Sequence, residues 1–302
     1  MTSWREAPLD ETNIALMRCT DCGGGLWRPR ARALQCRACG ACWPIADGLP
    51  RMFREESIQG SDKLLRMFYD GLPALHDPAT TFLLPALQTD VGERTMRRRY
   101  REHLELSTLR PRSDGEPIRI LEVGVGCGAN LPLLAEALPP GLDVEIWGVD
   151  ISAGMINQCR RRQLRPRRLR RKRAPQGDSR PGRVRLVLAD AHALPFTDGV
   201  FDRVFHVGAA GSWRDPALGL AEMARVARPG TPVVVVDEQL DDQTQNSLYH
   251  RLTFKLLTFY DKDPHCPEEL LPPGAVDVHS EQISRFYYSL RFSMPQRERA
   301  AA

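Results

Sequence analysis

Along the 302-residue chain, the spacing of apolar positions changes character near residue 118. Beyond it, short apolar runs alternate with segments in which apolar residues recur every three or four positions. The runs predict strands at Ile118 to Val123, Val144 to Val149, Arg185 to Ala189, Arg203 to Val207 and Pro232 to Asp237. The three-to-four spacing predicts helices near Asn130 to Leu138, Ser152 to Arg162 and Pro216 to Ala227. Strands separated by helices argue for an α/β fold built on a parallel sheet covered on both faces. Val233 to Val236 is an uninterrupted apolar run of the kind a strand carries when neither face meets water.

Residues 55 to 116 read as a helical prelude or cap. Leu64, Leu65, Met67 and Phe68, then Met96, Tyr100, Leu104 and Leu106, supply its apolar face, and Pro73, Pro78 and Pro85 cut it into short helices. The breaker cluster from Arg110 to Pro117 marks entry to the domain that fills 117–302. Within that domain, 239–302 forms a distinct closing region. Residues 245–260 are helical in pattern, with Leu248, Leu252, Phe254, Leu257 and Phe259, and Arg285 to Phe292 alternates like a last strand.

Composition leaves this picture in place: 42% hydrophobic and 26% charged residues are ordinary for a soluble globular protein. No run approaches the ~20 apolar residues of a membrane span, and Met1-Thr-Ser-Trp-Arg-Glu lacks a basic region followed by an apolar core, so a cytoplasmic location is expected. Charge adds one feature. Residues 160–183 hold 12 Arg or Lys and one acid, Asp178, so this insert carries +11 and the remainder −7 against +4 overall. Such a block reads either as a solvated loop or as a contact for nucleic acid or another anionic surface.

Five of the eight cysteines fall between Cys19 and Cys42. Cys19-Thr-Asp-Cys22-Gly23 and Cys36-Arg-Ala-Cys39-Gly40 are two Cys-x-x-Cys-Gly units thirteen residues apart. Glycine after each pair suits a tight knuckle that turns backbone N–H groups toward thiolates. Two knuckles give four sulfurs for one tetrahedral structural zinc at Cys19, Cys22, Cys36 and Cys39. Redox-active pairs are the alternative, and Cys42 is a fifth thiol that competes with Cys39. With Trp43-Pro-Ile-Ala-Asp-Gly-Leu-Pro50, residues 1–54 resemble the zinc-ribbon modules fused to, or partnering, certain methyltransferases.

Glu122-Val-Gly124-Val-Gly126-Cys-Gly128 follows the first strand and opens a helix, and glycines there let backbone approach a ligand closely. Asp150 ends the second strand, where a carboxylate can accept both hydroxyls of a ribose. Those two features also fit NAD. Asp190-Ala-His-Ala-Leu-Pro195-Phe196, then Asp198-Gly-Val-Phe-Asp202, then Glu222-Met-Ala-Arg-Val-Ala-Arg-Pro229-Gly230 separate the readings. In this order and spacing, Ile118 to about Glu238 resembles the class I S-adenosylmethionine-dependent methyltransferases, and the ubiquinone and menaquinone C-methyltransferase group in particular. The resemblance implies a Rossmann-like seven-stranded sheet with one antiparallel strand, beside the small N-terminal zinc ribbon. It implies that Glu122, Gly124, Gly126 and Gly128 lie beside the methionine part of the cofactor, that Asp150 with Ile151 holds the ribose, and that Asp190 with Ala191 binds the adenine. Tyr69 sits where similar enzymes place an aromatic lid, or is an ordinary helix residue.

Methyl transfer asks little of a protein beyond aligning the nucleophile with an activated methyl and excluding water. A base is needed where the acceptor is protonated at working pH. His206, ending the fourth strand, is the candidate base, against a merely packed histidine. His192 reads as structural. Trp213 and Tyr249 are candidates for the acceptor pocket. Transfer to a small molecule is the leading expectation. A ribosomal-RNA guanine N-methyltransferase, with RNA as partner, and a non-enzymatic binding partner compete with it.

Overall fold

In the computed structural model, residues 4–71, 86–87, 90–164, 182–208, 210–244, 247–261 and 263–296 are described. The sequence enters through β1 (Trp4–Glu6) and α1 (Glu11–Ala15), then a small sheet of β2 (Leu26–Arg30), β3 (Ala33–Cys36), β4 (Cys42–Ala46) and β5 (Leu49–Pro50). Helices α2 (Gly60–Gly71) and α3 (Glu93–His103) follow. The main domain continues with β6 (Ile118–Val123), α4 (Leu131–Ala137), β7 (Val144–Asp150), α5 (Ala153–Cys159), β8 (Gly182–Leu188) and β9 (Arg203–Val207). It closes with α6 (Pro216–Val226), β10 (Val233–Glu238), α7 (Leu248–Leu257), β11 (Val276–Ser284) and β12 (Tyr287–Ser293). Pro73, Pro78, Pro85 and positions 165–181 of the basic insert lie outside the described residues.

Strands β8, β7, β6, β9 and β10 lie side by side in that order and run parallel. β12 pairs antiparallel with β10, and β11 with β12, which gives the seven strands and single reversed strand expected. An eighth strand was not anticipated. β1 adds parallel to β8, with Trp4 opposite Gly182. The Trp4 ring lies where a Cβ on Gly182 would stand, and its Nε1 donates to the Leu131 carbonyl at 2.6 Å. Residues 4–6 therefore belong to the large sheet, which corrects the assignment of everything before residue 55 to a separate ribbon.

The helices start where side chains can satisfy their free N–H groups. Ser152 Oγ accepts from the Met155 N–H at 3.1 Å before α5, and Asp215 accepts from the Leu218 N–H at 3.0 Å before α6, with Pro216 at its first turn. Alternate residues of β10 enter opposite cores. Val233 and Val235 pack with Trp147, Phe196 and Phe201, while Val234 and Val236 pack with Ile120, Ile146 and Phe205. The first of those cores also takes in Ile14, Met17, Leu34 and Trp43. The small sheet is thus continuous with the main domain. The Met52 N–H donates to the Leu188 carbonyl at 2.8 Å and the Arg18 N–H to the Pro195 carbonyl at 3.1 Å. Among the described residues no helix is long and apolar enough to cross a membrane.

Candidate functional site

β6 and β9 are neighbours although their connections leave in opposite directions along the sheet, and at such a switch point the carboxyl ends of the strands diverge into a crevice. A cavity of about 420 Å³ occupies it. Glu122, Gly124, Gly126, Asp150, Ile151, Asp190 and Ala191 all line it, as do Tyr69, His206 and Trp213. Gly128 does not. It has φ +74°, and a Cβ there would stand 2.5 Å from Cys159 Sγ, so this glycine lets the loop close on α5 from behind the cavity. Gly124, at φ +71°, leaves room for the His206 ring, whose nearest atoms would lie 3.1 Å from an added Cβ.

The carboxylates at the strand ends are already engaged. Asp150 Oδ2 accepts from the Gly126 N–H and Oδ1 from the Ser152 N–H, both at 2.8 Å, which ties the glycine loop to the start of α5. Burial pushes its carboxyl up to about 6. Asp190 Oδ1 accepts from the His192 N–H and lies 2.6 Å from its Nδ1, while Oδ2 accepts from Arg214 at 2.7 Å. Burial would raise the Asp190 carboxyl, but these partners bring it down to about 2. Each carboxylate oxygen has a second lone pair, so both residues can still accept from a ligand. Arg214 also donates to Asp62 of α2 at 2.5 Å, and Asp70 of the same helix accepts from Ser152 Oγ at 2.6 Å and the Gly154 N–H at 2.9 Å. The prelude helix that carries Tyr69 is fastened over the cavity by these bonds.

Glu122 Oε1 accepts from Asn130 Nδ2 at 2.6 Å, but its Oε2 is buried without a partner among the described residues. His206 Nε2 is likewise buried and unpartnered, and both side chains line the cavity. Orphaned polar atoms facing a cavity, beside glycines that admit close backbone approach, fit a bound polar ligand such as S-adenosylmethionine. Burial pushes the Glu122 carboxyl up to about 8, so it is protonated near neutral pH. Its contribution to stability is fully present below the ordinary value of 4.5 and is lost as pH rises through about 8. Across that window the linkage is worth roughly 5 kcal/mol in ligand-free protein. Glu122→Gln should remove it. In chemical denaturation between pH 5 and pH 8, the wild type should lose several kcal/mol relative to the variant, and parallel pH profiles would contradict the burial argument.

His206 is 2% exposed, and burial lowers it to about 4, so it is neutral at ordinary pH. Its Nδ1–H donates to the Val123 carbonyl at 2.7 Å, which leaves the Nε2 lone pair toward the cavity. Trp213 packs on the ring at 4.6 Å between centroids. His192, bonded to Asp190 through Nδ1 and accepting from the Asp215 N–H at 3.3 Å through Nε2, holds two loops together, as expected of a structural residue. Tyr249 is a correction. It is 50% exposed on the outer side of α7 and does not line the cavity, because helix phase turns the other side of α7, with Phe254 and Leu257, inward. Three residues not anticipated take that place: Glu238 at the end of β10, Tyr260 after α7 and Tyr287 of β12. Glu238 directly continues the Val233 to Asp237 run, the one signal that could have found it.

In the small N-terminal sheet, the thiols of Cys19, Cys22, Cys36 and Cys39 lie within 4.8 Å of one another. Cys19 and Cys39 are 3.8 Å apart and Cys22 and Cys36 3.4 Å, near the ~3.8 Å edge of a sulfur tetrahedron with bonds of about 2.3 Å to zinc. N–H groups of Ala38 and Cys39 reach Cys36 Sγ at 3.4 and 3.5 Å, and donors of this kind bring its thiol down to about 6. The donor set therefore fits zinc. Cys42 is exposed and outside the cluster, so Cys39 is the fourth thiol of the group.

The family described as a methyltransferase domain matches residues 121–235. A ubiquinone/menaquinone biosynthesis C-methyltransferase of Geobacter sulfurreducens is 33% identical over 119 residues, covering 39% of this chain and 41% of the relative. A fatty-acid O-methyltransferase of Mycolicibacterium smegmatis is 32% identical over 146 residues, covering 48% of this chain and 46% of the relative. The chain thus spans less than half of either relative's length. Among solved structures, phosphoethanolamine N-methyltransferase 2 of Haemonchus contortus in complex with S-adenosyl-L-methionine superposes with a TM-score of 0.51 at 15% identity, over 82% of this chain and 62% of that one, and so shares the fold. Residues 121–235 thus match the methyltransferase-domain family, and with its strand order and glycine loop the chain has the fold of the class I S-adenosylmethionine-dependent methyltransferases.

Proposed function

We propose that this chain is an enzyme that moves a methyl group from S-adenosylmethionine to a small-molecule acceptor, by O-, C- or N-methylation. The observation that carries this reading is one cavity in which the glycine loop, Asp150 and Asp190 adjoin an aromatic, acid-lined space at the ends of β9, β10 and β12. When bound, the cofactor supplies an already activated methyl group, so the chain's own task is orientation and water exclusion. Asp150 and Ile151 would hold the ribose, Asp190 and Ala191 the adenine, and Glu122 with the backbone at Gly124 and Gly126 the amino-acid end. Tyr69, on the fastened α2, would cover the cofactor. His206 Nε2 would accept a hydrogen bond from an acceptor group. One structural zinc at Cys19, Cys22, Cys36 and Cys39 would hold the ribbon against the sheet.

An RNA substrate is the competing reading, and the place where the described end of the basic insert joins the sheet argues against it. Gly182, near the end of the insert, opens β8 at its amino end, while the cavity lies at the carboxyl end of this seven-residue strand, roughly 20 Å away at about 3.3 Å per residue. Incubating the purified chain with methyl-labelled cofactor and either a metabolite extract or total RNA tests the choice. Label should enter the small-molecule fraction. Label on RNA alone would overturn the small-molecule reading, and label in neither would favour a non-enzymatic binding role.

A further inference from the structure

The acceptor end of the cavity has a chemistry of its own. Glu238 Oε1 accepts from the Tyr260 hydroxyl at 2.8 Å and from the Tyr287 hydroxyl at 3.3 Å, so the carboxylate is fixed between two aromatic rings at the carboxyl end of β10. Tyr69 from α2 and Trp213 from the loop after β9 complete the aromatic lining. Asp237 Oδ2 accepts from the Gly211 N–H at 2.6 Å, and burial beside Glu238 pushes its carboxyl well up. Among the described residues lining the cavity, the permanently charged cations are Arg66 and Arg97. Arg66 is paired with Glu55 at 2.6 Å, and Arg97 bonds Asn130 on the β6 side. The orphaned Nε2 of His206, 98% buried with its ring, faces the same space as a neutral acceptor of hydrogen bonds.

Aromatic faces, an oriented carboxylate and a hydrogen-bond acceptor form a cage for a positive charge. Resting on the methyltransferase reading above, we propose that this cage is the acceptor subsite and that its acceptor is a small organic amine, bound as its ammonium ion. A carboxylic acid acceptor would be repelled by Glu238, and a neutral phenol or quinol would make no use of the charge. The same carboxylate meets the chemical demand of an amine. The nitrogen has no free lone pair while it is an ammonium, so one N–H proton passes to Glu238. The lone pair then forms the N–C bond while the C–S bond breaks with its electron pair going to sulfur, leaving the thioether product and a methylated ammonium. Glu238 returns the proton to water after release.

Calorimetric titration of the full chain with three molecules of nearly one shape tests the cage: tetramethylammonium, tert-butanol and pivalate. Each titration is run with and without S-adenosylhomocysteine. Tetramethylammonium should bind at least tenfold more tightly than tert-butanol, and pivalate more weakly still. Glu238→Gln should weaken tetramethylammonium binding about tenfold while S-adenosylhomocysteine affinity stays within twofold of wild type, which also shows that the variant is folded. Tyr260→Leu should weaken it by removing an aromatic wall, and Tyr260→Phe, which keeps the ring, should restore most of the binding. Equal affinity for the cation and tert-butanol, or a preference for pivalate, would overturn the proposal. Tetramethylammonium binding that survives in a chain unable to bind S-adenosylhomocysteine would keep the cage and reject the methyltransferase reading, so the two failures are distinct.

Discussion

Replacing Cys19 and Cys36 together by serine should strip the ribbon of metal and lower the thermal midpoint of the whole chain by at least ~10 °C. The ribbon's polar, glycine-rich knuckles cannot build a core by themselves. Structural zinc contributes about 10 to 16 kcal/mol of apparent binding energy in isolated zinc-finger peptides, as much as a whole domain's usual stability. The effect should not stay local here, because Met17, Leu34 and Trp43 pack in the same core as Trp147 and Phe196 of the main sheet. A loss of even ~5 kcal/mol corresponds to roughly 10 °C at about 2 °C per kcal/mol, the lower end of the range for larger domains. Elemental analysis should find one zinc per chain in the wild type and none in the variant, with chelation of the wild type reproducing the calorimetric shift. Zinc-free wild type with an unchanged unfolding profile would contradict the assignment, and a Cys19–Cys22 disulfide in fresh material would favour the redox alternative.

Asp150→Ala should weaken cofactor affinity by a factor of roughly 10² to 10⁴, the equivalent of two charge-assisted hydrogen bonds at about 1.5 to 3 kcal/mol each. The substitution removes the carboxylate that would hold the ribose hydroxyls. It also orphans the Gly126 and Ser152 N–H groups and so loosens the glycine loop. Asp150→Asn, which keeps one acceptor oxygen, should lose only about tenfold. Equilibrium dialysis with labelled S-adenosylmethionine measures both variants, and wild-type affinity in Asp150→Ala would remove Asp150 from the site. Asp190 has a further duty, since its carboxylate already joins His192 to Arg214 and, through Arg214, to Asp62 of α2. Asp190→Ala should therefore also release the prelude helix from the cavity.

Where local physics governs, the chain announces its structure. The five parallel strands stand out because each is buried on both faces and bounded by turns, and Cys-x-x-Cys-Gly repeated across thirteen residues has few uses besides holding a metal. What stayed hidden depends on partners distant in sequence. β1 is three residues long and exists because Trp4 meets Gly182 and Leu131. β11 lies at the sheet edge with its first six residues exposed, so no buried alternation marks it. The acceptor end shows the same limit. Tyr249 lies within the apolar helix pattern and Tyr260 at its end, and the packing of Phe254 on Phe286 helps set which side of α7 turns inward. Arg214, between Asp62 and Asp190, carries no motif at all, because an ion pair between residues 152 positions apart leaves no local trace.

Gly-x-Gly after a first strand and an acid ending the second would serve a dinucleotide as well as a sulfonium nucleoside, so the most direct measurement sets the two against each other in the wild-type chain. Calorimetric titration with S-adenosylhomocysteine and, separately, with NAD should give one saturable site for the first and no heat of binding for the second. Binding of NAD, with none of S-adenosylhomocysteine, would contradict the account of the cavity.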